Sequence, residues 1–140
     1  MWFTREQFEI CNEIKRWGLQ PRCETGDVVV RGFADLGYEE FQVLPGPKLL
    51  SLTAGTTSAL PAEYGLHLFW IPTVDESIAL MEQLGAACIT CERKDGREWL
   101  VQAQYNGEIE TQRARMLHEA LLKVLLSIYK RRYNEREDPS

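Results

Sequence analysis

The stretch from Ala86 to Tyr133 constrains this chain most. Two runs that alternate apolar and polar residues, Ala87–Arg93 and Arg97–Tyr105, flank Lys94-Asp95-Gly96, and a long amphipathic segment follows. Period-two alternation marks half-buried strands, and Asp-Gly between them marks a hairpin. A two-residue Asp-Gly loop would set Ile89 opposite Gln102 and Cys91 opposite Leu100. A three-residue Lys94-Asp95-Gly96 loop, with Gly96 left-handed, shifts the pairing by one. Ile89 then faces Val101, Cys91 faces Trp99 and Ala87 faces Ala103, which makes one face wholly apolar. The cost is Arg93 opposite Arg97 and Glu92 opposite Glu98, like-charge pairs worth roughly 0.2–1 kcal/mol each. Burying an Ile or Val side chain is worth about 1.5–3 kcal/mol, so the three-residue loop is expected.

After Asn106-Gly107, a helix over 112–133 is predicted with Thr111 as its N-cap. Ala114, Leu117, Leu121, Val124, Leu125 and Ile128 form an apolar stripe at three- and four-residue spacing, widened by Met116, Ala120 and Leu122. That width suits a helix covering a sheet face better than a coiled-coil seam. Arg115, Glu119 and Lys123 lie at four-residue steps on the opposite side. Lys130, Arg131 and Arg132 suit the negative end of the helix dipole.

Two further helices carry full start signals. Thr4 with Gln7 three residues later forms a capping box, Ile10, Cys11, Ile14 and Trp17 continue the apolar face, and Gly18 with Pro21 ends the helix over 4–17. Thr73 with Glu76 opens the helix over 74–84, with Val74, Ile78, Met81 and Leu84 inward and Gly85 at its end. Between them, Asp27–Phe33 and Glu39–Leu44 read as a strand pair around the turn Ala34–Glu40, Lys48–Thr53 as a third strand and Leu66–Ile71 as a fourth. His67 falls on the same side of that strand as Phe69 and Ile71. The expected fold is α+β: a mostly antiparallel sheet of about five or six strands covered by three helices. At 140 residues the chain is read as one domain over 1–140, with 134–140 a disordered tail.

The net charge of −5 gives no general case for nucleic acid or anionic membranes. Charge is uneven, however: residues 109–133 carry six Lys/Arg against two Glu. No apolar run approaches the ~20 residues of a membrane span, and Glu6 and Glu9 stand where a signal peptide is apolar, so a cytoplasmic location is expected.

Cys88 and Cys91 make a C-x-x-C, with Cys11, Cys23, His67 and His118 elsewhere. A zinc ribbon needs a second close pair, and Cys11 to Cys23 is too wide. Odd spacing on a regular strand sends Cys88 and Cys91 to opposite faces, so no metal is expected and the thiols are read as buried and free. Asp35, Glu39 and Glu40 form an acidic group best read as a solvated loop, with no basic partner implied. No phosphate-loop pattern, nucleophile–base pair or cofactor motif is present, so neither an enzyme nor a cofactor is expected.

The second half resembles a known family. Thr73–Leu84, the Trp99-bearing hairpin and the run Met116-Leu117-His118-Glu119-Ala120-Leu121-Leu122-Lys123-Val124 resemble the phage ABA sandwich domain over about residues 70–128. Pro72 stands where members carry Ser, and the last helix lacks their Trp. The resemblance implies a sheet sandwiched by helices and a phage or prophage origin, and it brings no catalytic residues.

These readings point to a small, soluble, non-enzymatic protein that acts by binding a protein partner. The alternative is a small-ligand or nucleotide-binding module. Nucleic-acid binding through Arg113, Arg115, Lys123, Lys130, Arg131 and Arg132 ranks below both, no membrane role is expected, and a homo-oligomer stays compatible. The binding surface is expected at Ala54–Gly65, with Pro45-Gly46-Pro47 at its base. Thr53, Thr56, Thr57 and Ser58 supply hydroxyls, Gly55 gives close backbone approach, and Leu60 and Tyr64 supply apolar anchors. Pro61 limits the freedom lost on ordering.

Overall fold

The computed structural model describes residues 3–33 and 37–137. The chain is α+β. Among the described residues it forms four helices and eight strands, the strands in two antiparallel sheets of five and three. Contacts group into two compact units, Met1–Pro72 and Thr73–Ser140.

In the first unit, helix α1 (Arg5–Arg16) starts as its sequence dictates. Thr4 Oγ1 accepts the Gln7 N–H at 3.2 Å, and Gln7 Oε1 accepts the Thr4 N–H at 2.7 Å. The sheet runs β4 (Thr57–Ala59), β3 (Lys48–Ser51), β2 (Gly37–Leu44), β1 (Val28–Phe33), β5 (Leu68–Ile71). Phe8, Cys11 and Ile14 of α1 are buried. Phe8 meets Tyr38 of β2 with ring centroids 5.0 Å apart, and Tyr38 meets Phe69 of β5 edge-on at 6.0 Å. Lys15 Nζ donates to the Leu68 carbonyl at 2.9 Å, pinning the helix along β5. Val29 and Val30 are both buried, as are all four residues of β5, so these strands read as continuous apolar runs because both their faces are covered.

Two expectations change here. The stretch without a visible period, Ala54–Gly65, holds β4, which pairs with β3 through Leu49 opposite Ser58 and Leu50 opposite Thr57. Its Thr-Ser-Ala sequence has no apolar alternation because all three residues are exposed on a sheet edge. Residues Tyr64–His67 form a short helix, α2, so His67 belongs to a helix rather than to a strand face with Phe69. Asp35 and part of the turn around it lie outside the described residues.

In the second unit, α3 (Val74–Gln83) carries the expected capping box between Thr73 and Glu76. The sheet runs β6 (Ala87–Lys94), β7 (Glu98–Tyr105), β8 (Glu108–Ala114). The third strand replaces the predicted helix start. Asn106 and Gly107 take φ of 50° and 79°, the pattern of a type I′ hairpin turn, and Tyr105 pairs with Glu108. Thr111 is therefore not a cap. It sits on β8 opposite Gln102. Helix α4 runs Leu117–Glu137, starting later than expected and extending into the segment read as a tail. Ala120, Leu121, Leu122, Val124, Leu125 and Ile128 are wholly buried where α4 packs on β7, β8 and α3. Met116 precedes the helix and is exposed.

The β6–β7 register also differs from expectation. Cys91 faces Val101, Arg93 faces Trp99 and Lys94 faces Glu98. Asp95 as well as Gly96 takes positive φ (53° and 65°), and the Arg97 N–H donates to the Lys94 carbonyl at 3.2 Å. Centring the turn one residue later slips the register by two from the expected Ile89–Val101 pairing. From Thr90 to Lys94 the even slip keeps each residue on its expected face while setting Lys94 opposite Glu98 instead of Arg opposite Arg; Ala87, beyond the bulge, pairs with Gln104 instead of Ala103. A β-bulge at Cys88 and Ile89 absorbs the extra length.

Candidate functional site

The first unit carries a cleft of about 290 Å³ lined by Arg31, Phe41, Leu49, Ser58, Ala59, Pro61, His67 and Leu68. Strand pairing explains how residues so distant in sequence meet. Arg31 stands opposite Leu68, Val29 opposite Phe41, Val43 opposite Leu49, and Leu49 opposite Ser58. Because paired and alternate residues share a face, Arg31, Phe41, Leu49, Ser58 and Leu68 all project from one side of the sheet. The chain leaving β4 at Ala59 and Pro61, together with His67 at the end of α2, walls that side. Leu60 N–H donates to the Pro47 carbonyl at 3.3 Å, which ties this wall to the Pro45-Gly46-Pro47 turn.

The cleft is amphipathic. Phe41, Leu49, Leu68 and Pro61 give it an apolar lining, Leu49 and Leu68 being buried. Arg31, His67 and Ser58 supply a cation, an imidazole and a hydroxyl. Glu39 stands opposite Arg31 on β2, and its carboxylate accepts the Ser51 hydroxyl at 3.1 Å. Leu66, next to His67, is 74% exposed, the most exposed large apolar side chain among the described residues.

Of the residues expected to bind, Ser58 lines this cleft. Thr53, Gly55 and Thr56 sit exposed at the β3–β4 hairpin tip, where the Ser51 carbonyl accepts the Gly55 N–H at 2.8 Å. Thr57 is exposed on β4, and Leu60 and Tyr64 are half-buried outside the lining. The residues missed are Arg31, Phe41, Leu49, His67 and Leu68. A signal existed for one of them: Arg31 interrupts the apolar run Val28-Val29-Val30, an unusual place for a charge on a central strand.

A second cleft, of about 610 Å³, lies at the β6–β7 turn and is lined by Lys94, Asp95, Arg97, Glu98 and Arg115. Its charges alternate in sign and it has no apolar floor. The basic residues once considered for nucleic acid are dispersed. Arg113 and Arg115 are outside α4, Arg131 pairs with Glu108 and Glu110, and Lys123 Nζ donates to the Arg113 carbonyl at 3.1 Å.

Of the cysteines, Cys11 is buried and free as expected, whereas Cys88 and Cys91 differ from expectation. Burial pushes the Cys11 thiol far above the usual cysteine range. Cys23 is half-buried, its thiol raised by burial and then by the Asp27 charge. Cys88 and Cys91 are exposed rather than buried. A β-bulge between Ala87 and Thr90 lies in the C-x-x-C, so the regular alternation that would send the two thiols apart does not run through it.

No protein-family model, curated protein or solved structure matches this chain. Among the described residues no helix is long and apolar enough to cross a membrane.

Proposed function

We propose that this protein acts by binding a partner protein, without catalysis, through the cleft on the β1–β5 sheet. The observation that carries the reading is the pairing of an apolar floor and Arg31 on one sheet face with His67 in the wall beside it, next to the exposed Leu66. An apolar anchor inserted in a pocket supplies interface energy, while charge at the rim sets partner choice. The partner segment that fits carries a large apolar side chain next to a carboxylate. Four unbonded thiols support action in a reducing compartment such as the cytoplasm. The likeness of residues 70–128 to the phage ABA sandwich domain supports a phage-encoded origin, although β8 adds a strand to that pattern.

The test is capture from source lysate with cleft-blocking variants. A stoichiometric protein retained by the wild type and by Thr53→Ala, but lost with Ser58→Arg and Ala59→Arg, supports the proposal. Both variants replace exposed edge residues, so equal melting temperatures verify that they fold. No partner, or one retained equally by the blocked variants, overturns it. The cleft volume favours a second reading, because about 290 Å³ lies at the lower end of small-molecule sites. A small amphipathic anion that raises the melting temperature of the wild type but not of Ser58→Arg would select that reading.

A further inference from the structure

The bulge in β6 changes what the C-x-x-C can do. Ala87 stands opposite Gln104 and Thr90 opposite Gln102, so Cys88 and Ile89 together oppose the single residue Ala103. Alternation forward from Ala87 sends Cys88 to the face of Ala103 and Val101. Cys91, paired with Val101, is already there. Cys88 holds the turn with φ of 51°, a left-handed conformation that side chains other than Gly, Asn and Asp seldom take. Both thiols are exposed, and β6 is an edge strand of its sheet.

We propose that Cys88 and Cys91 form a two-thiolate site for a soft, thiophilic cation of the Cu(I) type. The two positions are two ladder steps apart, about 6.6–6.8 Å along the strand. Parallel Cβ atoms at that spacing exceed the roughly 3.8 Å of a disulfide, so a direct sulfur–sulfur bond would require β6 to buckle. An ion lying between the sulfurs spans the gap. Cu(I) takes two thiolates in near-linear coordination and needs no third ligand. Zinc needs four, and among the described residues no group of three His, Cys, Asp or Glu is placed to hold a metal. Binding forms two Cu–S bonds and releases the two thiol protons to solvent, with no change in oxidation state.

The experiment is an anaerobic titration of the full chain with Cu(I) against a chromophoric Cu(I) chelator. One Cu(I) per chain is expected for the wild type and for Cys11→Ala/Cys23→Ser, with X-ray absorption showing two sulfur ligands. Cys88→Ser and Cys91→Ser should each lose the ion while keeping the wild-type circular dichroism and melting temperature. The proposal is overturned if the wild type fails to compete with the chelator, if either of those serine variants still competes as well as the wild type, or if one ion is shared by two chains.

Discussion

Arg131 of α4 and Glu110 of β8 meet with Nη1 2.6 Å from Oε1, and they form one rung of a polar ladder. Lys123, Ser127, Arg131 and Glu135 recur every fourth residue and so share one helix face. Lys123 donates to the Arg113 carbonyl at 3.1 Å, Ser127 accepts from Gln112 at 3.3 Å, and Glu135 accepts from Asn106 at 2.7 Å. The helix ascends as β8 descends, so the ladder sets how far α4 slides along the sheet. Arg131 also stacks over the Tyr105 ring with its guanidinium 5.3 Å from the centroid.

Arg131→Met should therefore lower unfolding free energy by about 1.5–3 kcal/mol, the range for hydrogen bonds to charged groups. Arg5→Ala, which breaks the exposed pair with Glu9, should cost less than about 0.5 kcal/mol. Urea melts compare the two. Equal small losses would show that apolar contacts alone hold α4.

Capping distinguishes the observed helix starts from the expected one. Thr73→Ala removes the hydroxyl that accepts the Glu76 N–H at 3.2 Å and should cost about 1 kcal/mol. Thr111→Ala should cost a few tenths at most, because Thr111 contributes an exposed 3.4 Å contact with Gln102 rather than a cap. A loss at Thr111 as large as at Thr73 would place a helix start there after all.

Backbone conformation at Cys88 yields a signed prediction. With φ of 51°, Cys88→Gly should be neutral or stabilising by up to about 1 kcal/mol, whereas Cys88→Val should destabilise by about 1–2 kcal/mol. Thermal melts give the order. If Val is tolerated as well as Gly, the bulge is not held by that left-handed residue.

Stability should fall in alkali through Cys11. Its buried thiol stays protonated in the folded chain, while in the unfolded chain it ionises near about pH 8.5. The stability it contributes is complete below that pH. It is lost as pH rises further, at about 1.4 kcal/mol per pH unit, because the unfolded state then binds fewer protons. Tyr105, raised first by burial and then by Glu135, and Tyr129, raised by burial, add to the loss above about pH 10. Cys11→Ala should be less stable at pH 7 but show a shallower decline between about pH 8.5 and 10. An unchanged slope would mean that Cys11 ionises while folded.

The sequence alone determined the features that close within a few residues. The capping boxes at Thr4–Gln7 and Thr73–Glu76 and the alternation of Trp99–Tyr105 each depend on neighbours three residues away or fewer, so the α+β class was legible. Tertiary structure decided the rest. Glu108–Ala114 carries too little apolar alternation to announce a strand. It pairs because β7 offers a ladder and because α4 brings Arg131 and Ser127 to its polar residues. The β6 register turned on Asp95 accepting positive φ and on a bulge at Cys88, neither visible in the pattern of apolar residues. Of the cleft, Ser58, Ala59 and Pro61 fall within the expected stretch Ala54–Gly65, whereas Arg31, Phe41, Leu49 and Leu68 meet only through pairings across four strands. Such contacts join residues far apart in the chain, and their energies depend on which partner arrives.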